Sequence, residues 1–189
     1  MGEPLDAFDG ALRIAAALEA AGTPYAIGGA IAYALWGPPR GTLDIDLNVF
    51  VEPEALPAVV EVLRPLGVVF DHADVVGEAQ ARGMVMGRMG VFRLDLFTPS
   101  VPYSWEALRT RVRARMRDVD AWFLSAEATC VFKLLFFRGK DVVDLERLVA
   151  MQGSRLDAAT VRRHVAEMMG EDDERVRTWD RLTGATSAT

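Results

Sequence analysis

The chain holds a single cysteine, Cys130, among its 189 residues, which excludes an internal disulfide. Its two histidines, His72 and His164, add too few ligands for a structural zinc site, which draws on Cys and His. Any catalytic metal is therefore expected to be a hard cation held by carboxylates. No apolar run reaches ~18 residues without a charge, so no membrane span is expected. The chain does not open on a basic segment followed by an apolar run, so no signal peptide is expected and a cytoplasmic protein is the default. Neither a Gly-x-Ser-x-Gly elbow nor a P-loop is present, which argues against hydrolase and P-loop chemistry. Internal repeats and low-complexity tracts are also missing.

What is present is apolar enough for a substantial core. Hydrophobic residues make up 51% of the chain, a fraction that does not suit a disordered body. The length suits one domain, or a small domain with a helical extension. A net charge of −6 argues against a general nucleic-acid binder. The charge is uneven, however. Eight arginines lie between Arg82 and Arg117, against only Asp95 and Glu106.

Periodicity divides the chain. Pro4 to Ala21 has helical spacing and is ended by Gly22. Pro24 to Ile27 is a short apolar strand. Gly28-Gly29 then opens a helix, Ala30 to Trp36, which stops at Gly37-Pro38-Pro39. Tyr33 and Trp36 on that helix are expected in the core. Thr42 to Val51 alternates, with Leu43, Ile45, Leu47, Val49 and Val51 on one side and Asp44, Asp46 and Asn48 on the other. A helix is expected from Pro53 to Arg64, a strand at Val68 to Phe70, and a polar loop over Asp71 to Gln80. Met84 to Met86 and Val91 to Phe97 read as strands joined by a turn at Gly87 to Gly90. A helical turn is expected at Trp105 to Leu108, and strands at Arg111 to Arg117 and Ala121 to Leu124. From Ser125, a helix cap, the pattern is helical: Ala128 to Phe136, Asp141 to Met151, Asp157 to Met169 and Asp172 to Leu182. Cys130 lies on an apolar helix face and is expected to be a buried small hydrophobe. The expected architecture is α/β over residues 1–124, a mixed twisted sheet flanked by helices. A helical region follows over 125–183, with a small-residue tail at 184–189. A cleft between the α/β and helical parts is expected to hold a nucleotide.

The acidic strand carries the chemistry. Asp44 and Asp46 stand two apart, so their side chains share one face of the sheet. Asp95 lies on a second strand, Phe92 to Phe97. If the two strands are neighbours, three carboxylates converge where one or two Mg²⁺ ions could accept phosphate oxygens. Two alternating acids can also be a plain solvated face. Gly28-Gly29, between a strand and a helix, offers bare N–H groups to an anion, although a Gly-Gly pair also serves as an ordinary turn. The two together are more specific than either alone.

Ile27-Gly28-Gly29-Ala30, followed by Arg40-Gly41-Thr42-Leu43-Asp44-Ile45-Asp46-Leu47, resembles the signature of the polymerase-β-type nucleotidyltransferase superfamily. The Arg-x-Thr-x-Asp-Ile-Asp-Leu form resembles its AbiEii-like branch and the aminoglycoside and lincosamide nucleotidyltransferases. The resemblance implies that Gly28 and Gly29 approach a nucleoside triphosphate and that Asp44 and Asp46 carry Mg²⁺. Asp95 matches the carboxylate that assists deprotonation of the acceptor hydroxyl, and so joins the implied metal and catalytic set. Many members carry Gly-Ser where this chain has Gly28-Gly29. Arg40, with Thr42, is expected near the substrate. In the helical part, Lys133-Leu134 to Arg138-Gly139-Lys140-Asp141-Val142-Val143-Asp144-Leu145 resembles the Lys-x-x-x-x-Arg-x-Lys-Asp-x-x-Asp-Leu pattern of AbiEii-like toxins. By that resemblance Lys133 neutralises triphosphate charge, and Lys140 and Asp144 lie near the cleft. Arg138, Lys140, Asp141 and Asp144 could instead be exposed helix-turn charges forming i,i+3 pairs.

The implied activity is Mg²⁺-dependent transfer of a nucleoside monophosphate from an NTP to an acceptor hydroxyl on RNA, protein or a small molecule. A toxin with a cognate antitoxin is the favoured role. The alternatives are an antibiotic nucleotidyltransferase and a catalytically inactive binding protein of the same fold. Arg109, Arg111, Arg113, Arg115 and Arg117 alternate, and on a strand would form one basic face. That face would either meet RNA phosphates or, the preferred reading, discourage edge pairing.

Overall fold

The computed structural model describes residues 6–184. Pro4 and Leu5 of the expected first helix and residues 185–189 of the expected tail lie outside them.

In chain order the elements are α1 (Ala7–Ala20), β1 (Tyr25–Ile27), α2 (Gly29–Trp36), β2 (Asp44–Val49), α3 (Leu56–Leu63), β3 (Val68–Phe70), α4 (Val75–Arg82), β4 (Met84–Met89), β5 (Phe92–Phe97), α5 (Tyr103–Thr110), β6 (Val112–Met116), β7 (Val119–Phe123), α6 (Ala126–Phe136), α7 (Gly139–Gln152), α8 (Ala158–Met169) and α9 (Glu174–Thr183). They fall into two compact units. One takes in the chain up to Ala32 and Arg40–Leu124, and the other Tyr33–Pro39 and the chain from Ser125.

The first unit is a seven-stranded mixed sheet in the order β3-β4-β5-β2-β1-β7-β6. Its core is visible in the register. Val85, Leu96, Leu47, Ile27 and Phe123 are paired across β4, β5, β2, β1 and β7, and all five are fully buried. Each such side chain contributes about 1.5–3 kcal/mol by leaving water. Helix α1 packs on β1, β2 and β7 and against α3. It starts where Asp6 accepts a hydrogen bond from the Asp9 N–H at 2.9 Å, and buries Ala11, Leu12, Ile14, Ala15 and Leu18. The alternation in β2 buries Ile45, Leu47 and Val49, but Leu43 lies outside the strand and is 69% exposed.

Three expectations are corrected here. Asp71 to Gln80 is not all loop, since α4 begins at Val75 under an Asp74 cap that accepts from the Gly77 N–H at 2.9 Å. Only Val75 and Ala79 of this helix are buried, which is too few for a visible helical period. Gly87 is not a turn residue. It lies inside β4, and a methyl group there would come within 2.6 Å of the Val69 carbonyl oxygen, so close approach of β3 is what requires it. The turn is the two residues Gly90 and Val91, between the paired Met89 and Phe92.

The third correction concerns the alternating arginines. Arg109 belongs to α5 and Arg111 ends it, so only Arg113 and Arg115 lie on β6. Arg117 and Asp118 both have positive φ and form the two-residue turn from β6 to β7, the geometry that matches hairpin twist. The guanidiniums are also engaged within the unit. Arg111 and Arg113 lie over the Trp122 ring, and Arg113 pairs with Glu19, Arg115 with Asp118 and Arg117 with Asp6. No single basic strand face of five arginines exists.

The second unit is helical. Ser125 caps α6 by accepting from the Ala128 N–H at 3.1 Å. α6 packs against α7, α8 and α9, and α7 and α8 each pack against α9. Trp179 of α9 is fully buried and donates from its indole nitrogen to the Ala158 carbonyl at 2.9 Å. Tyr33 is fully buried, Trp36 is partly buried, and Cys130 is a fully buried free thiol whose pKa burial pushes up. Among the described residues, no helix is long and apolar enough to cross a membrane.

Candidate active site

The candidate residues are divided between the two units. Gly28, Gly29, Arg40, Thr42, Asp44, Asp46 and Asp95 belong to the first. Lys133, Lys140 and Asp144 belong to the second.

In the sheet, β2 and β5 are parallel neighbours, with Asp46 paired to Asp95 and Asp44 paired to Arg93. Paired residues share a face, so the three carboxylates and one guanidinium form a compact patch. This face is opposite the row of buried Leu47 and Leu96. The Arg93 Nε donates to Asp95 Oδ1 at 2.8 Å, and its Nη2 lies 3.6 Å from the Met86 sulfur. The hydrogen bond to Asp95 raises the guanidinium pKa above its ordinary value, and the charges of Asp44 and Asp46 push it the same way. Among the described residues, no three His, Cys, Asp or Glu side chains are placed to hold one ion between them. Arg93 was not singled out from the sequence. Its position two residues before Asp95 on the same strand is the signal that could have identified it.

The glycine turn is built against Asp46. The Gly28 N–H donates to the Asp46 carbonyl at 2.8 Å. A methyl group at Gly29 would lie 1.8 Å from Asp46 Oδ2, and Gly29 has φ +54°. The Asp46 carboxylate occupies the space a Cβ would take, so a side chain at position 29 requires the Asp46 side chain to move and a strained positive φ. At Gly28 a methyl group would come within 2.8 Å of the buried Asn48 amide nitrogen. The turn and the acidic strand are thus one packed piece: the Gly28 N–H, expected to be open to an anion, is taken by the strand, and the Asp46 carboxylate lies against Gly29. The donor set is all hard oxygen, and one carboxylate already holds a cationic group. Both features suit a small divalent cation. The Thr42 hydroxyl accepts from the Asp44 N–H at 3.0 Å and so orders the entry to β2. Arg40 lies in the loop before it, partly buried.

In the helical unit, Lys133 of α6 is 6% exposed. Its Nζ lies 2.6 Å from Asp144 Oδ2 and 3.6 Å from Asp141 Oδ1, both on α7, and 5.1 Å from the centre of the Tyr33 ring. Asp141 also accepts from the Arg138 Nε at 2.6 Å. An i,i+3 pair does form between Arg138 and Asp141, although Asp141 is buried rather than exposed, and Lys133 and Asp144 form a buried pair. Asp141 and Tyr33 were not among the residues expected at the site. Lys140 is exposed in the first turn of α7.

No family model and no curated protein matches this chain. Solved structures do. The antibiotic-resistance factor ANT(2'')-Ia, determined in solution, is similar over 86% of this chain and 96% of its own, at 18% identity and a TM-score of 0.61. Its crystal structure in complex with adenylyl-2''-tobramycin matches over 85% and 95%, at 17% identity and a TM-score of 0.61. An antigenic nucleotidyltransferase-like protein from Paracoccidioides brasiliensis matches over 92% and 93%, at 15% identity and a TM-score of 0.55. The mixed sheet with its flanking helices is a nucleotidyltransferase fold.

Proposed function

We propose, from this fold and the patch on β2 and β5, that the chain transfers a nucleoside monophosphate from an NTP to an acceptor hydroxyl. The observation that carries the reading is the contact of Gly29 with the Asp46 carboxylate. It sets a backbone that can approach phosphate directly beside a carboxylate that can hold a cation. Asp44, Asp46 and Asp95 would hold Mg²⁺ once their side chains turn toward a shared ion, which they do not do here, and the ion when bound would supply neutralisation of the triphosphate charge. The acceptor oxygen attacks the α-phosphorus, the bond from that phosphorus to the β-phosphate bridging oxygen breaks, and pyrophosphate leaves with the electron pair. Asp95 takes the hydroxyl proton. Gly28 and Gly29 would lie against the phosphates, with Arg40 and Thr42 in the loop that leads into β2. Little covalent help is needed, because positioning and charge neutralisation dominate such transfers.

By its likeness to the AbiEii-type motif, Lys133 would neutralise triphosphate charge, with Lys140 and Asp144 belonging to the same motif. Asp144 already neutralises Lys133, so that role requires the ammonium to exchange a carboxylate for phosphate. The same likeness makes a toxin with a cognate antitoxin, acting in the cytoplasm, the favoured biological role. A second reading, an antibiotic nucleotidyltransferase, is favoured by the match to ANT(2'')-Ia over most of both chains.

Saturating NTP with Mg²⁺, near 100 times Kd, should stabilise the protein by about 2.7 kcal/mol, or roughly 5–10 °C in Tm. Asp46→Asn should abolish the rise, and no shift of the wild type with any NTP would sink the nucleotide reading. NTP labelled at the α-phosphate, incubated with total RNA, lysate protein or aminoglycosides, should label one class and so identify the acceptor. If the wild type labels none of the three, an inactive binding protein of this fold is the better description.

A further inference from the structure

We infer that Arg93 is a built-in counter-ion of the acidic patch, which holds Asp95 in the metal-free protein and competes with the divalent cation for it. The inference rests on the nucleotidyl-transfer reading for the identity of that cation. Three carboxylates on adjacent β2 and β5 positions repel one another unless positive charge lies among them. Here that charge comes from the chain itself. Arg93 is paired to Asp44 across the strands, is two residues from Asp95 on its own strand, and donates its Nε to Asp95 Oδ1 at 2.8 Å.

Two features distinguish this from an incidental surface pair. The guanidinium is anchored at both ends, by Asp95 at Nε and by the Met86 sulfur near Nη2. It is also 56% exposed, whereas the Asp95 side chain is 12% exposed. Asp95 therefore has little water to turn to and needs a cation beside it, while Arg93, more than half exposed, regains hydration when it leaves. A divalent ion that engages Asp95 must displace the Nε contact. Arg93 thus positions the carboxylate for the metal and weakens the site for bare metal.

The test is Mn²⁺ titration of the whole chain, with binding followed by the loss of the free-Mn²⁺ resonance signal. A unit charge against a divalent ion across ~6 Å at water-like dielectric is worth about a tenfold change in affinity. Arg93→Gln should therefore bind Mn²⁺ about tenfold more tightly than wild type. Arg93→Lys, which keeps the charge, should stay near wild type. Adding Asp95→Asn to Arg93→Gln should remove the gain. In chelator and low salt, Arg93→Gln should also melt below wild type, with the melting temperature recovered in the Arg93→Gln/Asp95→Asn double variant. Equal or weaker Mn²⁺ binding by Arg93→Gln, in a protein whose wild type binds Mn²⁺ and whose Asp46→Asn variant does not, overturns the inference and leaves the functional reading standing. Mn²⁺ binding by no variant overturns both.

Discussion

Gly29 and Asp46 constrain each other through one short distance. The residue at position 29 adopts φ +54° and leaves no room for a Cβ beside the Asp46 carboxylate. Left-handed backbone costs a side-chain-bearing residue about 1–2 kcal/mol. Gly29→Ala should lose at least that much stability in urea denaturation, with further loss from displacement of the carboxylate. A change below about 0.5 kcal/mol would mean that the turn relaxes freely and that the contact does not organise the site. The sequence showed the glycine pair and the acids as separate signals. It could not show that a side chain at position 29 would meet the Asp46 carboxylate, because that depends on a neighbour seventeen residues away. Arg93 escaped notice for a related reason: an exposed arginine on a strand is unremarkable until its partner is known.

At the scale of elements, α6 and α7 are tied by a buried ion pair. Lys133 reaches Asp144 at 2.6 Å and Asp141 at 3.6 Å. Breaking such a pair from one side leaves a buried charge, which costs about 3–5 kcal/mol, whereas replacing both partners with apolar groups of similar size costs much less. Asp144→Ala should therefore destabilise more than the double variant Lys133→Met/Asp144→Leu, as a double-mutant cycle in denaturant would read. A cost for Asp144→Ala no larger than that of a surface change would remove the pair from the account of the helical unit. The helices of this unit were legible because their apolar residues recur at helical spacing behind clear caps. α4 was not, since it buries two side chains and carries a mid-helix glycine. The arginine alternation misled for the opposite reason. A period of two persists across the end of α5, the strand β6 and a turn, and only backbone geometry separates them.

For the molecule as a whole, the net charge of −6 makes the response to acid informative. Among the described residues, Asp6, Asp157 and Asp173 are carboxylates held below their ordinary value. Asp6 is held down by the Arg117 guanidinium, Asp157 by the Thr160 N–H and hydroxyl, and Asp173 by the Arg175 N–H. A carboxylate whose folded pKa is depressed stabilises the fold above its unfolded pKa, near 3.9, and loses that contribution as pH falls through the folded pKa. Stability from these groups should thus be flat near neutrality and decline below about pH 4. Their exposure keeps each contribution small. In urea melts from pH 7 to pH 2.5, the variant Asp6→Asn/Asp157→Asn/Asp173→Asn should be less stable than wild type at pH 7, and the gap should close in acid. A gap that widens in acid would reverse the assignment.

The sequence alone determined the class of the fold, the positions of most elements and the shared face of Asp44 and Asp46. These follow from local periodicity, caps and breakers, which act within a few residues of chain. Only the tertiary structure decided that β2 lies beside β5, that Asp95 faces Asp46 while Arg93 faces Asp44, and that the glycine turn is packed against a carboxylate. Those facts depend on strand order and register, which arise from burying one continuous apolar row across five strands rather than from any local signal.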